Sequence, residues 1–84
     1  MDLSTLIKDE KTGLFARPDT WDLGVLAERK CYLAMNIKEG DVFFDIGGNI
    51  GSTVDLALHQ KAKAVYTFEP DNENYELLKY NLDQ

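Results

Sequence analysis

The rhythm of apolar positions is clearest in the second half of the chain. "VFFDI" (42–46) is a short, nearly unbroken apolar run, which suits a strand covered on both faces, as in a parallel sheet. Residues 52–60 then place Val54, Ala57 and Leu58 at i, i+3 and i+4, a helical face able to pack on that sheet. "AVYTFEP" (64–70) is β-branched and aromatic and predicts a second strand, stopped by Pro70. Asp71 or Asn72 caps a last helix, where Tyr75, Leu78 and Leu82 fall at i, i+3 and i+7. Glu73 and Glu76 lie toward its N-terminus, the end at which the helix dipole favours negative charge.

The first half is looser. Residues 21–37 read as a helix, with Leu26, Leu33 and Ile37 near one seam and Val25 and Tyr32 beside it. Gly24 weakens its first turn by up to about 1 kcal/mol. Pro18 fixes the backbone ahead of it, and Asp19 or Thr20 is placed to cap it. "KEGD" (38–41) is a turn before the first strand. Residues 1–17 have weak periodicity, a turn at "KTG" (11–13) and room for a short helix at 3–7, so they read as an N-terminal arm to a domain over 18–84. Trp21, Tyr32, Phe43 and Phe44 are expected in the core, and Cys31 as a small buried helix residue. The order helix, strand, turn, helix, strand, helix makes an α/β unit: a βαβ crossover preceded by a helix.

Composition narrows the partners. With 84 residues, the chain is one domain or part of one. A net charge of −6 and nine scattered basic residues argue against a nucleic-acid backbone. No tract approaches the run of about 18 apolar residues of a membrane span. The N-terminus lacks the basic start and apolar core of a signal peptide, so a cytoplasmic setting is expected. One cysteine allows no intrachain disulfide, and no metal site is expected.

The candidate chemistry sits in "DIGGNIG" (45–51), between the first strand and its helix. In open α/β folds ligands bind beyond the carboxyl ends of the strands, where this turn and the pair Glu69–Pro70 both fall. Gly47 and Gly48 remove Cβ atoms that would hold a ligand off the backbone, and Gly51 lets the chain enter the helix tightly. Glu69 follows Gly47 by 22 residues, near the ~20-residue offset of an acidic group that grips ribose hydroxyls. The dinucleotide fingerprint G-x-G-x-x-G fails, because Asn49 and Ser52 stand at its second and third glycines. The pattern present is D-x-G-x-x-x-G, carried by Asp45, Gly47 and Gly51. Asp45, Asp55, Glu69 and Asp71 crowd this region without a nearby cation before Lys61, poor surroundings for a pyrophosphate. S-adenosyl-L-methionine carries no phosphate, and its sulfonium and ammonium groups are positive.

"DVFFDIGGNIG" followed by "VYTFEPDNENYELLKYNL" resembles the FkbM-type S-adenosylmethionine-dependent methyltransferases, as does the upstream "RPDTWDLGVLAERKCY". The resemblance covers roughly residues 17–84. It implies a Rossmann-like, class I methyltransferase sheet of which this chain holds the N-terminal portion, an incomplete sheet. It further implies that Asp45 orients the loop near the methionine part of the cofactor, while Gly47 and Gly48 approach it through the backbone. Asn49 and Gly51 would shape the turn, Glu69 would bind the ribose hydroxyls, and Pro70 would pack by the adenine. The implied reaction is O-methyl transfer to a hydroxyl of a small molecule or sugar. No base is assigned: His59, Asp22 and Glu28 are available, but an exposed pair with Asp55 suits His59 and a solvated helix face suits the other two. Two strands bury little surface, so an open sheet edge is expected to pair with a partner chain or a second copy. A chain this short is expected to need those missing strands for activity. The alternatives are a non-catalytic interaction module or split-enzyme subunit and, against the failed fingerprint, a nicotinamide or flavin binder.

Overall fold

Two small sheets organise the chain, one antiparallel and one parallel, each of two strands. The computed structural model describes residues 1–84, the side chain of Ala34 excepted. An N-terminal 3-10 turn, Leu3–Thr5, is capped by Asp2, whose side chain accepts from the Ser4 N–H. Strands β1 (Ile7–Lys8) and β2 (Phe15–Ala16) then pair antiparallel. The turn joining them is tied by Asp9, whose carboxylate accepts from the Thr12 N–H and hydroxyl. The KTG turn is therefore present, but the helix expected at 3–7 is only the 3-10 turn. Two-residue strands are too short to show an alternating pattern in sequence.

This stretch is no loose arm. Leu14 and Ala16 are buried and form one cluster with Leu26, Ile50 and Leu77, while Leu6, Phe15, Val25 and Tyr80 pack around it. Phe15 meets Tyr80 edge to face at 5.3 Å between centroids, a favoured aromatic geometry.

The long helix expected over 21–37 divides. Helix α1 covers Asp22–Ala27, and a 3-10 helix continues over Glu28–Met35 until Asn36 takes a left-handed φ of 54°. Only Leu26 of the expected seam is buried; Leu33 is exposed and Ile37 half-buried. Without an apolar face to bury, the second half lacks the packing that holds an α-helix in water. Cys31 is exposed here, contrary to the expected burial. Trp21 is 89% exposed, and Tyr32 and Phe44 also face solvent, so three of the four aromatics expected in the core lie outside it. Phe43 is half-buried.

Asp22 takes the inward position instead. Its carboxylate accepts a two-pronged contact from the Arg17 guanidinium at 2.7 and 2.9 Å, and a third bond from the Arg17 N–H. Arg17 also donates to Asn74 Oδ1 at 2.6 Å, tying this segment to the last helix. Burial opposes ionisation of Asp22, yet the hydrogen bonds from Arg17 hold its pKa below the ordinary value. A depressed folded-state pKa gives stability that is present above the unfolded value and lost as pH falls through the folded one. Asp22→Asn is expected to cost about 2 kcal/mol at neutral pH, less than a fully buried pair because Arg17 keeps some solvent contact. The same substitution should cost progressively less as pH falls below the usual carboxylate range, as followed by urea denaturation from neutral to acidic pH.

Strands β3 (Val42–Ile46) and β4 (Ala64–Phe68) pair parallel, with Val42 opposite Ala64 and Ile46 opposite Phe68. They are joined by helix α2 (Ser52–His59), and helix α3 (Asn72–Leu82) follows. Asp71 caps α3 by accepting from the Asn74 N–H, one of the two residues expected there. Val54 and Ala57 in α2 and Leu78 in α3 are buried as expected, but Leu56 is buried where Leu58 is exposed, and Leu77 is buried while Tyr75 is exposed and Leu82 half-buried.

The parallel pair is covered on one face only. Asp45 is buried and Phe43, Val65 and Thr67 are half-buried on one side, whereas Val42, Phe44, Ile46, Tyr66 and Phe68 are exposed on the other. The unbroken apolar run thus forms a strand as expected, without the second cover that the pattern implies. Among the described residues no helix is long and apolar enough to cross a membrane.

Candidate functional site

The turn after β3 is anchored from beneath by Ile50, which is fully buried in the core cluster. From there the backbone folds back over the end of β4. The Gly47 and Gly48 N–H groups both donate to the Phe68 carbonyl, at 2.7 and 3.1 Å, and Gly51 N–H donates to the Gly48 carbonyl at 3.0 Å. Gly47, Asn49 and Gly51 all take positive φ, at 78°, 51° and 99°. Asparagine tolerates this conformation better than most residues, which suits Asn49 to its place between glycines.

The glycines divide by role. A Cβ on Gly47 would meet nothing within 4 Å, so the space beside its backbone is open. A Cβ on Gly48 would run into Thr67 Oγ1 and come within 2.9 Å of Leu78 Cδ1. The room left by Gly48 is therefore filled by the protein itself, not by a ligand as the pattern alone implies. Gly51 starts α2 and lies against Leu78, in keeping with the tight helix entry expected.

Glu69 closes the arrangement. One carboxylate oxygen accepts from the Asn49 N–H at 2.7 Å and the other from the Asp71 N–H at 2.9 Å. This side chain clamps the glycine turn to the start of α3, a role that its spacing from Gly47 does not reveal. Each oxygen retains a second acceptor site, so the clamp leaves capacity for donors from a ligand.

Asp45 lies below the turn, buried, with its carboxylate accepting from the Thr67 hydroxyl at 3.3 Å. The parallel register explains this contact, since Asp45 stands opposite Thr67. Burial pushes the Asp45 pKa up and the Glu69 charge adds to this, while the Thr67 bond works against them. No residue-type pattern marks Thr67; only its register opposite Asp45 in the parallel pair places it here.

Above these residues lies an open cleft of about 660 Å³. Gly47, Glu69 and Pro70 line it, with Ile46, Thr67, Phe68 and Tyr75 forming the walls. Asp45, Gly48, Asn49 and Gly51, expected at the same site, are not among its lining residues. No lysine or arginine lines it; the Lys79 ammonium lies 5.6 Å from the Tyr75 ring centroid.

His59, Asp22 and Glu28 lie outside the cleft. His59 Nδ1 is 3.3 Å from Asp55 Oδ2, matching the expected pair, and Arg29 joins it by a 2.7 Å contact with the same oxygen. Asp22, expected on a solvated face, is committed to Arg17. Among the described residues no group of three or more His, Cys, Asp or Glu is placed to hold a metal. No family model, curated protein or solved structure matches the chain.

Proposed function

We propose that this chain carries the cofactor-binding portion of an S-adenosylmethionine-dependent methyltransferase, with β3, α2 and β4 as the opening βαβ unit of a Rossmann-like sheet. The observation that carries the reading is the meeting of three features at the carboxyl ends of β3 and β4. These are an open backbone surface at Gly47, the Glu69 carboxylate, and an apolar wall of Ile46, Phe68, Pro70 and Tyr75. Such a cleft fits a nucleoside: a carboxylate for vicinal hydroxyls beside an apolar surface for a flat base.

The electrostatics favour this cofactor over a pyrophosphate carrier. The lining offers a carboxylate and no lysine or arginine, with Asp45 below the turn. A positively charged sulfonium and ammonium suit that environment, whereas a phosphate would be repelled. Glu69 would hold the ribose, Gly47 would pass close to the amino-acid part, and Pro70 with Tyr75 would flank the adenine. Asp45, Gly48, Asn49 and Gly51 would fix the loop. When bound, the cofactor supplies an electrophilic methyl group for a hydroxyl acceptor; the chain's residues contribute binding and alignment.

Calorimetric titration with S-adenosylhomocysteine tests this directly. Binding is expected in the micromolar range for the wild-type chain, at least about tenfold weaker for Glu69→Ala, and absent for a nicotinamide dinucleotide. Equal binding of both ligands, or no loss on Glu69→Ala, would overturn the assignment.

A further inference from the structure

The face of the β3–β4 sheet turned away from α2 and α3 carries no charged side chain, and its one polar group is the Tyr66 hydroxyl. Positions 42, 44 and 46 of one strand and 64, 66 and 68 of the other are Val, Phe, Ile and Ala, Tyr, Phe. Exposure reaches 51% at Val42, 65% at Phe44, 78% at Ile46, 52% at Tyr66 and 56% at Phe68. Phe44 and Tyr66 stack with ring centroids 5.2 Å apart at the centre of the patch. At the usual areas of such side chains this amounts to roughly 600 Å² of contiguous apolar surface, at the upper end of what a monomer exposes.

We infer that this face packs against the same face of a second copy, forming a two-fold dimer with the sheets stacked face to face. The area is the first reason. About 600 Å² from each copy gives about 1,200 Å² in total, the lower bound of a specific interface. Tyr75, 45% exposed and next to Ile46 and Phe68 in the cleft wall, extends the patch further. Charge is the second reason. The chain carries a net −6, yet none of the six outward positions of the sheet is charged, so a two-fold contact brings no like charges together there. An uncharged face also holds nothing that would select an oppositely charged partner over a copy of itself. Sheet faces pack at about 10 Å separation, and the Phe44–Tyr66 pair is placed to act as the central anchor of a two-fold contact. Ile46, Phe68 and Tyr75 also line the cleft, so the dimer and a cleft ligand share that edge of the face, while Val42, Phe44 and Tyr66 lie outside it.

Sedimentation equilibrium of the full chain, from about 1 µM to about 1 mM, covers the range of such an association. The expected species at the upper end has twice the mass of the 9.5 kDa chain. Phe44→Lys and Tyr66→Lys each replace a side chain more than half exposed and outside the cleft lining, so their far-UV circular dichroism should match the wild type. Each should weaken the dimer at least about 100-fold. Trp21→Lys adds the same charge at a position 89% exposed and is expected to leave association unchanged. Amide shifts on dilution of the wild type should centre on Val42, Phe44 and Tyr66. A wild type that stays monomeric up to about 1 mM would overturn the inference, as would dimers untouched by either lysine substitution, or dilution shifts confined to other surfaces.

Discussion

Asn81→Leu is expected to destabilise the domain by about 3 kcal/mol, and to lower its melting temperature by about 15 °C. Asn81 is buried on α3 and satisfies three backbone groups. Its Oδ1 accepts from the Phe15 N–H at 2.7 Å, and its Nδ2 donates to the Phe15 carbonyl at 3.1 Å and the Ile50 carbonyl at 2.8 Å. One side chain thus links strand β2, the glycine turn and the last helix. Leucine fills a similar volume but leaves those backbone groups without partners, and each such loss costs about 1 kcal/mol or more when buried. Asn81→Asp separates hydrogen bonding from packing. It would set a carboxylate against two carbonyls, so it should be at least as harmful at neutral pH and recover partly on acidification, when the acid regains a donor. Thermal melts of the three proteins at pH 7 and pH 4 read both effects. An Asn81→Leu protein as stable as the wild type would remove this link from the account.

Gly48→Ala is the second large effect, expected to cost about 2–3 kcal/mol by overpacking. The added methyl would collide with Thr67 Oγ1 and approach Leu78 Cδ1 at 2.9 Å and Asp45 Oδ2 at 3.2 Å. Thr67 is β-branched and held to Asp45, and Leu78 is buried, so neither yields freely. Gly47→Ala, one position earlier, meets no atom and carries only the strain of a positive φ, about 1 kcal/mol. The two glycines should therefore separate in measurement. Urea denaturation should report the larger loss at Gly48, and ligand titration the larger loss of affinity at Gly47, beside the open cleft. Adding Thr67→Ala to Gly48→Ala should return part of the stability, since it removes the colliding hydroxyl.

This division between neighbouring glycines shows what a sequence can carry. The elements from residue 42 onward were legible because their apolar periods are regular and their ends are marked by glycines, Pro70 and Asp71. The meeting of the glycine turn with Glu69 followed from the spacing of the two strands. The clamp that Glu69 makes on Asn49 and Asp71 did not, because hydrogen bonds to backbone N–H groups leave no mark on residue type. Thr67 was hidden for a related reason: its importance comes from its register opposite Asp45.

The first half was less legible because its order is held by polar side chains. Leu14 and Ala16 reach the core through a hairpin of two-residue strands, and Asn81 supplies the bonds that a neighbouring strand would give Phe15. Asp22, Arg17 and Asn74 then set the entry to α1, leaving Trp21 outside where an apolar pattern alone would place it inside. Hydrophobic periodicity reports burial by apolar side chains and misses positions fixed in this way.

Titration of the ¹⁵N-labelled chain with S-adenosylhomocysteine, followed amide by amide, tests the proposed site most directly. Saturable shifts are expected at Gly47, Asn49, Glu69 and Tyr75, with His59 and Arg29 unmoved and at least about tenfold more ligand needed for the same response in Glu69→Ala. Shifts that do not saturate at millimolar ligand, or that centre on residues away from the carboxyl ends of β3 and β4, would contradict it.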